Sequence, residues 1–244
     1  FETPIIVGGV HPTLFPEDID FSAVDYLCVG EGEYPMLELT DALARGAPAT
    51  GIRNLWVKTA SGITKNPVRD LIRDLDSLPM PYRRLYGKYE FIRRLPVKRF
   101  ITGLGCPFRC TFCHNPLEMQ LFAGKGRYIR HKSVKRVIAE IREAREEGCL
   151  RRVHFSDDLF GLNRRWLDEF LAVYTREVGL PFSCNVRIDF VDDDWARAMA
   201  AAGCWGISFG IESGSAHLRN QILKKNIADD VIVANARCLK KHGI

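Results

Sequence analysis

Three cysteines fall within the segment Gly105-Cys106-Pro107-Phe108-Arg109-Cys110-Thr111-Phe112-Cys113-His114, at the spacing Cys-x3-Cys-x2-Cys. Thiolates at such spacing are ligands for zinc or for an iron-sulfur cluster. A four-iron cluster takes four thiolates, and this loop offers three. One iron is then left open, which is what a cluster needs if it is to act on a substrate rather than only relay electrons. The alternatives are a Cys3His zinc site using His114, or core cysteines with no ligand. Zinc usually draws its ligands from two separated pairs, and the chain has no second Cys-x2-Cys and no His-x3-His. Cys106, Cys110 and Cys113 are therefore the expected metal ligands, with His114 an ordinary loop residue.

The elements that must position this loop follow from periodicity. Residues 97–102, 152–155, 182–186 and 205–211 read as strands. Between and after them come four helix patterns. Residues 134–147 are capped by Ser133 and place Val134, Val137, Ile138 and Ile141 on one face. Residues 164–178 are capped by Asn163 and carry Trp166, Leu167, Phe170, Leu171 and Tyr174. Residues 194–202 are closed by Gly203, and 230–242 by Gly243. Alternating strand and helix predicts an α/β fold with a parallel sheet, open or closed into a barrel, and functional groups then belong at the carboxyl ends of the strands. The cysteine loop follows the first strand. Ser156-Asp157-Asp158 follows the second, Asn185-Val186-Arg187 the third, and Gly210-Ile211-Glu212-Ser213-Gly214-Ser215 the fourth. An ammonium group needs a carboxylate acceptor, a carboxylate matches a guanidinium fork, and sugar hydroxyls suit Glu and Ser. At each of these positions a turn or capping role is the alternative.

Upstream, residues 4–7 and 25–29 read as short buried strands and 34–45 as a helix with Met36, Leu37, Leu39, Ala42 and Leu43 inward. Gly8-Gly9 and Gly30-Glu31-Gly32 supply tight turns where a phosphate or sugar could approach the backbone. A hairpin is expected over 54–58 and 62–65, and the proline-bearing stretch 74–81 reads as a linker. The expected division is 1–46, a linker region 47–96, and 97–244.

With 244 residues, 46% hydrophobic, 27% charged and 10% aromatic, the composition is globular. Residues 1–90 hold 9 Lys and Arg against 13 Asp and Glu, whereas 91–244 hold 26 against 17. The second part could attract phosphates, carboxylates or nucleic acid, although solvated helix faces account for it equally well. No apolar run approaches the roughly 20 residues needed to cross a bilayer, and no signal-peptide pattern opens the chain. The eight cysteines lack the dense pairing of a secreted disulfide scaffold. Reduced thiols and a cytoplasmic location are expected. Cys28, Cys149, Cys184, Cys204 and Cys238 read as small buried residues.

The cysteine loop, with aromatic Phe112 just before the third cysteine, resembles the signature of the radical S-adenosylmethionine superfamily. The resemblance implies a TIM-type (β/α) barrel with a 4Fe-4S cluster. Its open iron chelates the amino and carboxylate groups of S-adenosylmethionine, and Phe112 lies near the adenine. It further implies that Asp157 or Asp158 holds the methionine amino group, and Glu212 with Ser213 the ribose. Arg187 is our own candidate for the carboxylate. Reductive cleavage of S-adenosylmethionine then starts radical chemistry on an unactivated carbon, by methyl transfer, cyclisation or oxidation. An electron donor such as flavodoxin or ferredoxin and a small-molecule substrate are the implied partners. The segments Val7-Gly8-Gly9-Val10-His11-Pro12-Thr13 and Val29-Gly30-Glu31-Gly32-Glu33 resemble the end of the Rossmann-like cobalamin-binding domain that precedes many of these barrels, with Gly8 and Gly9 near the cobalamin nucleotide tail. The Asp-x-His-x-x-Gly segment that often supplies the cobalt ligand does not occur. About six β/α units make a full family barrel and four are visible here, so both ends of the chain are expected to be cut. Two alternatives stand beside this reading: an RNA-modifying, methylthiotransferase-like relative, and a zinc-stabilised binding module. No RNA-binding module is visible, so nucleic acid is not the expected partner.

Overall fold

In the second half of the chain, short apolar strands alternate with amphipathic helices, and the burial follows that pattern. The computed structural model describes residues 3–244. In chain order the elements are β1 (Ile6–Val7), α1 (Val10–Leu14), β2 (Tyr26–Cys28), α2 (Glu33–Ala44), β3 (Leu55–Thr59), β4 (Gly62–Lys65), α3 (Glu90–Arg94), β5 (Val97–Phe100), β6 (Gly103–Leu104), α4 (Asn115–Leu121), β7 (Arg130–His131), α5 (Val134–Glu146), β8 (Arg152–Phe155), α6 (Arg164–Glu177), β9 (Phe182–Asn185), α7 (Asp193–Ala201), β10 (Cys204–Ser208) and α8 (Asp229–Lys241).

They form two compact units, one made of the chain up to Arg73 with His114–Tyr128, the other of Asp74–Cys113 with Ile129–Ile244. In the first, β1 and β2 run parallel and the β3–β4 hairpin adds antiparallel to β2, giving the order β1-β2-β3-β4. The hairpin expected within 47–96 thus completes the first unit's sheet. Buried Asn54 ties this unit's turns together. Its Nδ2 donates to the Glu31 carbonyl at 3.0 Å and its Oδ1 accepts from Arg69 N at 2.7 Å. The helix expected at 34–45 is α2, but Met36, Leu37 and Leu43 are exposed rather than inward. Its buried stripe is Pro35, Leu39 and Ala42.

The second unit is built on the parallel sheet β5-β8-β9-β10, in sequence order, with α5, α6 and α7 connecting successive strands or following them. Its core gathers Phe100, Val153, Phe155, Phe182 and Cys184 from the sheet, and Val137, Ile141, Leu167, Phe170, Tyr174 and Met199 from the helices. Phe155 is fully buried and stacks on Phe160 at 4.8 Å, with Phe170 edge-on at 5.3 Å. Burying an aromatic of this size contributes about 1.5–3 kcal/mol. The expected caps are present: Ser133 Oγ accepts from Arg136 N at 3.1 Å, and Asn163 Oδ1 from Trp166 N at 3.2 Å. Helix α7 starts one residue earlier than expected, because Asp192 accepts from Trp195 N at 2.7 Å and serves as its cap.

The first strand ends at Phe100 rather than 102, since the N–H groups of Thr102 and Gly103 turn toward β8 instead of continuing the ladder. Cys28, Cys184 and Cys204 are buried as expected, but Cys238 is only half-buried and Cys149 is exposed in the turn after α5. No helix among the described residues is long and apolar enough to cross a membrane.

Candidate active site

The cysteine loop springs from β5 and is fastened in turn to residues just after β8 and β9 and to the segment 222–225 farther along the chain from β10. Its entry is held by Asp157, which follows β8 and is 4% exposed. One oxygen, Oδ1, accepts from Thr102 N (2.9 Å), Thr102 Oγ1 (2.7 Å) and Gly103 N (2.6 Å). Burial pushes this carboxyl up to about 6, and the same three hydrogen bonds act against the rise.

The middle of the loop is held by Arg187, which follows β9 and is 8% exposed. Its Nη1 donates to Cys110 Sγ at 3.8 Å, within reach for sulfur. Nε and Nη2 grip the carboxylate of Asp189 at 3.1 and 2.9 Å, and Nη2 also donates to the Lys225 carbonyl at 2.8 Å. The guanidinium lies over the Phe108 ring, 3.6 Å from its centroid, and Phe108 meets Phe190 edge-on at 5.8 Å. The fork expected to receive a substrate carboxylate is thus already engaged by Asp189.

The far side of the loop is held through Thr111, whose N–H donates to the Leu223 carbonyl (3.1 Å) and whose hydroxyl donates to that of Ile222 (2.8 Å). That segment follows β10 and also carries Lys225, 8% exposed, with Nζ 2.7 Å from Glu212 Oε1 and 5.7 Å from the Phe112 ring. Glu212 itself sits at φ +68°, a left-handed backbone that non-glycine residues rarely adopt. A Cβ on Gly210 would meet the Glu212 carboxylate, so any side chain there would push that carboxylate from its present place. The Ser213 carbonyl accepts from the fully buried Arg219 at 2.9 Å, and the Ser213 hydroxyl accepts from Ser215 N at 3.1 Å.

All three cysteines are free thiols. Burial raises the Cys106 thiol. Phe108 N–H opposes this by donating to it, and the negative charges of Asp158, Cys113 and Cys110 add to the rise. The three sulfurs and Asp158 therefore share one electrostatic neighbourhood, in which a bound cation would offset the mutual repulsion. At the end of β8, Ser156 Oγ and Asp157 Oδ2 are buried without a hydrogen-bond partner. Clustered thiols, a fixed cation beside one of them and unpaired buried acceptors fit a cysteine-ligated iron-sulfur group with a polar co-ligand.

Cys106, Cys110, Cys113, Phe112, Asp157, Asp158, Arg187, Glu212 and Ser213 all belong to the second unit. Gly8 and Gly9 belong to the first. Both are exposed. Gly9 has φ +107° with no heavy atom within 4 Å of a would-be Cβ, so the backbone there is bare. Sequence reasoning missed Asp189, Lys225 and Arg219. The signal lay in charged residues that the burial of their surroundings would have required to be paired.

The uncharacterized methyltransferase PH0819 of Pyrococcus horikoshii is 31% identical over 98% of this chain, which spans 52% of that protein. Solved structures share the fold. TsrM from Kitasatospora setae, a radical S-adenosylmethionine methyltransferase with tryptophan and a SAM analog bound, matches 100% of this chain and 48% of its own at 21% identity and TM-score 0.75. The cobalamin-dependent S-adenosylmethionine radical enzyme OxsB, with aqua-cobalamin bound, matches 98% of this chain and 35% of its own at 21% identity and TM-score 0.78. Residues 100–244 match the Radical SAM superfamily pattern, and with more than half of its length so matched the chain belongs to the radical SAM superfamily.

Proposed function

We propose that this chain is the cluster- and S-adenosylmethionine-binding part of a cobalamin-associated radical SAM methyltransferase. The observation that carries the reading is the cysteine loop itself, held by Asp157 after β8, by Arg187 after β9 and, through Thr111, to Leu223. Cys106, Cys110 and Cys113 would ligate a 4Fe-4S cluster, leaving one iron open. When bound, the reduced cluster supplies the electron that cleaves S-adenosylmethionine reductively. The chain's own residues bind and orient. Two carboxylates could accept from the methionine ammonium: Asp158, whose charge acts on Cys106, and Asp157, whose Oδ2 has no partner while Oδ1 accepts three donors. Glu212 and Ser213 would hold the ribose and exposed Phe112 the adenine.

Methyl transfer is favoured over cyclisation or oxidation because PH0819 is named a methyltransferase, as is the cytidylyl-2-hydroxyethylphosphonate enzyme of Streptomyces wedmorensis, 23% identical over 99% of this chain. The first unit, with exposed Gly8 and Gly9, is read as the end of a cobalamin-binding domain, and the second as part of the barrel, entered through residues 74–96. A small-molecule substrate and a flavodoxin- or ferredoxin-type donor complete the assignment. The chain spans about half the length of the curated relatives it matches, so the test uses the full-length protein. After anaerobic reconstitution with iron, sulfide, cobalamin, reductant and S-adenosylmethionine, 5'-deoxyadenosine should form, or S-adenosylhomocysteine with the methyl group passed to reduced cobalamin. Formation of neither overturns the reading.

A further inference from the structure

We infer that Arg187 sets the reduction potential of the cluster through its contact with Cys110, rather than receiving the carboxylate of S-adenosylmethionine. The inference rests on the cluster assignment above and deepens it.

The guanidinium is held from every side. Asp189 takes Nε and Nη2, the Lys225 carbonyl takes Nη2 again, and the Phe108 ring covers one face. The donor facing the loop, Nη1, reaches Cys110 Sγ at 3.8 Å. With both Arg187 and Cys110 at 8% exposure, water screens this contact little. A thiolate that accepts a hydrogen bond and faces a fixed cation carries less charge density onto iron. The more negative, reduced cluster gains more from this than the oxidised one, so the potential rises. Asp189 tempers the effect, because the Arg187–Asp189 pair is neutral from a distance. What remains is the N–H···S bond and the nearer position of the positive end. Arg187 is thus a positioning residue that acts through a ligand.

The arrangement makes two predictions of opposite sign. Arg187→Met keeps the bulk and removes the cation and the donor, so the midpoint should fall. Asp189→Asn removes the neutralising charge and leaves the guanidinium in place, so the midpoint should rise. The measurement is an EPR-monitored redox titration of the reconstituted full-length protein without S-adenosylmethionine, with iron and sulfide content determined on the same samples. At the wild-type midpoint the ratio of reduced to oxidised cluster should drop about tenfold in Arg187→Met, which is about 59 mV for a one-electron couple. S-adenosylmethionine binding, measured separately, should change little.

A loaded Arg187→Met cluster with an unshifted midpoint, or one that loses S-adenosylmethionine affinity alone, overturns the proposal and returns Arg187 to carboxylate capture. If Arg187→Met does not load, Asp189→Asn decides: an upward shift supports the proposal, and an unchanged or lower midpoint overturns it. Failure of the wild-type protein to bind a cluster would instead sink the assignment on which the proposal rests.

Discussion

Asp157 and Thr102 are joined twice through one oxygen, Oδ1 accepting from the Thr102 N–H at 2.9 Å and from its hydroxyl at 2.7 Å. This pair turns the chain out of β5 into the cysteine loop, and its cost is a carboxylate taken out of water. Burial raises the carboxyl from 3.8 to about 6. The folded state thus keeps a proton that the unfolded chain has lost between those values. The group's contribution to stability is full below about pH 4 and is lost as pH rises through about 6. Asp157→Asn retains an oxygen for the three donors without the ionisation. Its stability relative to wild type should be ~2–3 kcal/mol more favourable at about pH 7.5 than at about pH 4.5, read by urea denaturation of cluster-free protein. A pH-independent difference contradicts the strap.

The Thr111 hydroxyl anchors the loop to the Ile222 carbonyl at 2.8 Å. Thr111→Val should leave cluster content unchanged and speed the loss of iron to a chelator about fivefold, the equivalent of one hydrogen bond of about 1 kcal/mol. An unchanged rate would mean that the remaining ties suffice.

Glu212 is held at positive φ with Lys225 Nζ 2.7 Å away. Its side chain is 30% exposed, so Glu212→Gln should fold normally. If Glu212 holds the ribose, calorimetry on the reconstituted protein should show S-adenosylmethionine affinity reduced about tenfold, the size expected for a charge-assisted hydrogen bond of about 1.4 kcal/mol. Unaltered affinity removes Glu212 from the site.

Phe155 lies on β8 directly beneath Ser156 and Asp157, packed against Phe160, Phe170, Tyr174 and Phe182. Phe155→Ala should destabilise the protein by about 3–5 kcal/mol in urea, with loss of cluster binding as the strand end loosens. A loss under about 1 kcal/mol would mean the core does not support the site as described.

Local physics carried the sequence reading where one element decides the outcome. The apolar faces of α5 and α6, their caps at Ser133 and Asn163, and the four-strand alternation depend on residues a few positions apart. So does the cysteine spacing. The fastening of the loop was not legible, because Asp157–Thr102, Arg187–Cys110 and Thr111–Leu223 join residues distant in sequence and depend on how adjacent strands register. Arg187 was expected as the partner of a carboxylate, and its pairing with Asp189 two residues on depends on the short turn after β9 folding the two side chains together. Met36, Leu37 and Leu43 on α2 show the opposite limit: hydrophobic type does not specify which helical stripe finds a partner.

The central claim is that Cys106, Cys110 and Cys113 together hold one four-iron cluster. Iron and sulfide per chain, measured after anaerobic reconstitution, tests it most directly in wild-type protein, in each single Cys→Ala variant of the three, and in a control at exposed Cys149. The account predicts about four iron and four sulfide in the wild type and in Cys149→Ala, with loss of the cluster and of 5'-deoxyadenosine formation in each of the other three. Full cluster content and continued S-adenosylmethionine cleavage in Cys110→Ala, or stoichiometric zinc in place of iron in the wild type, would contradict it.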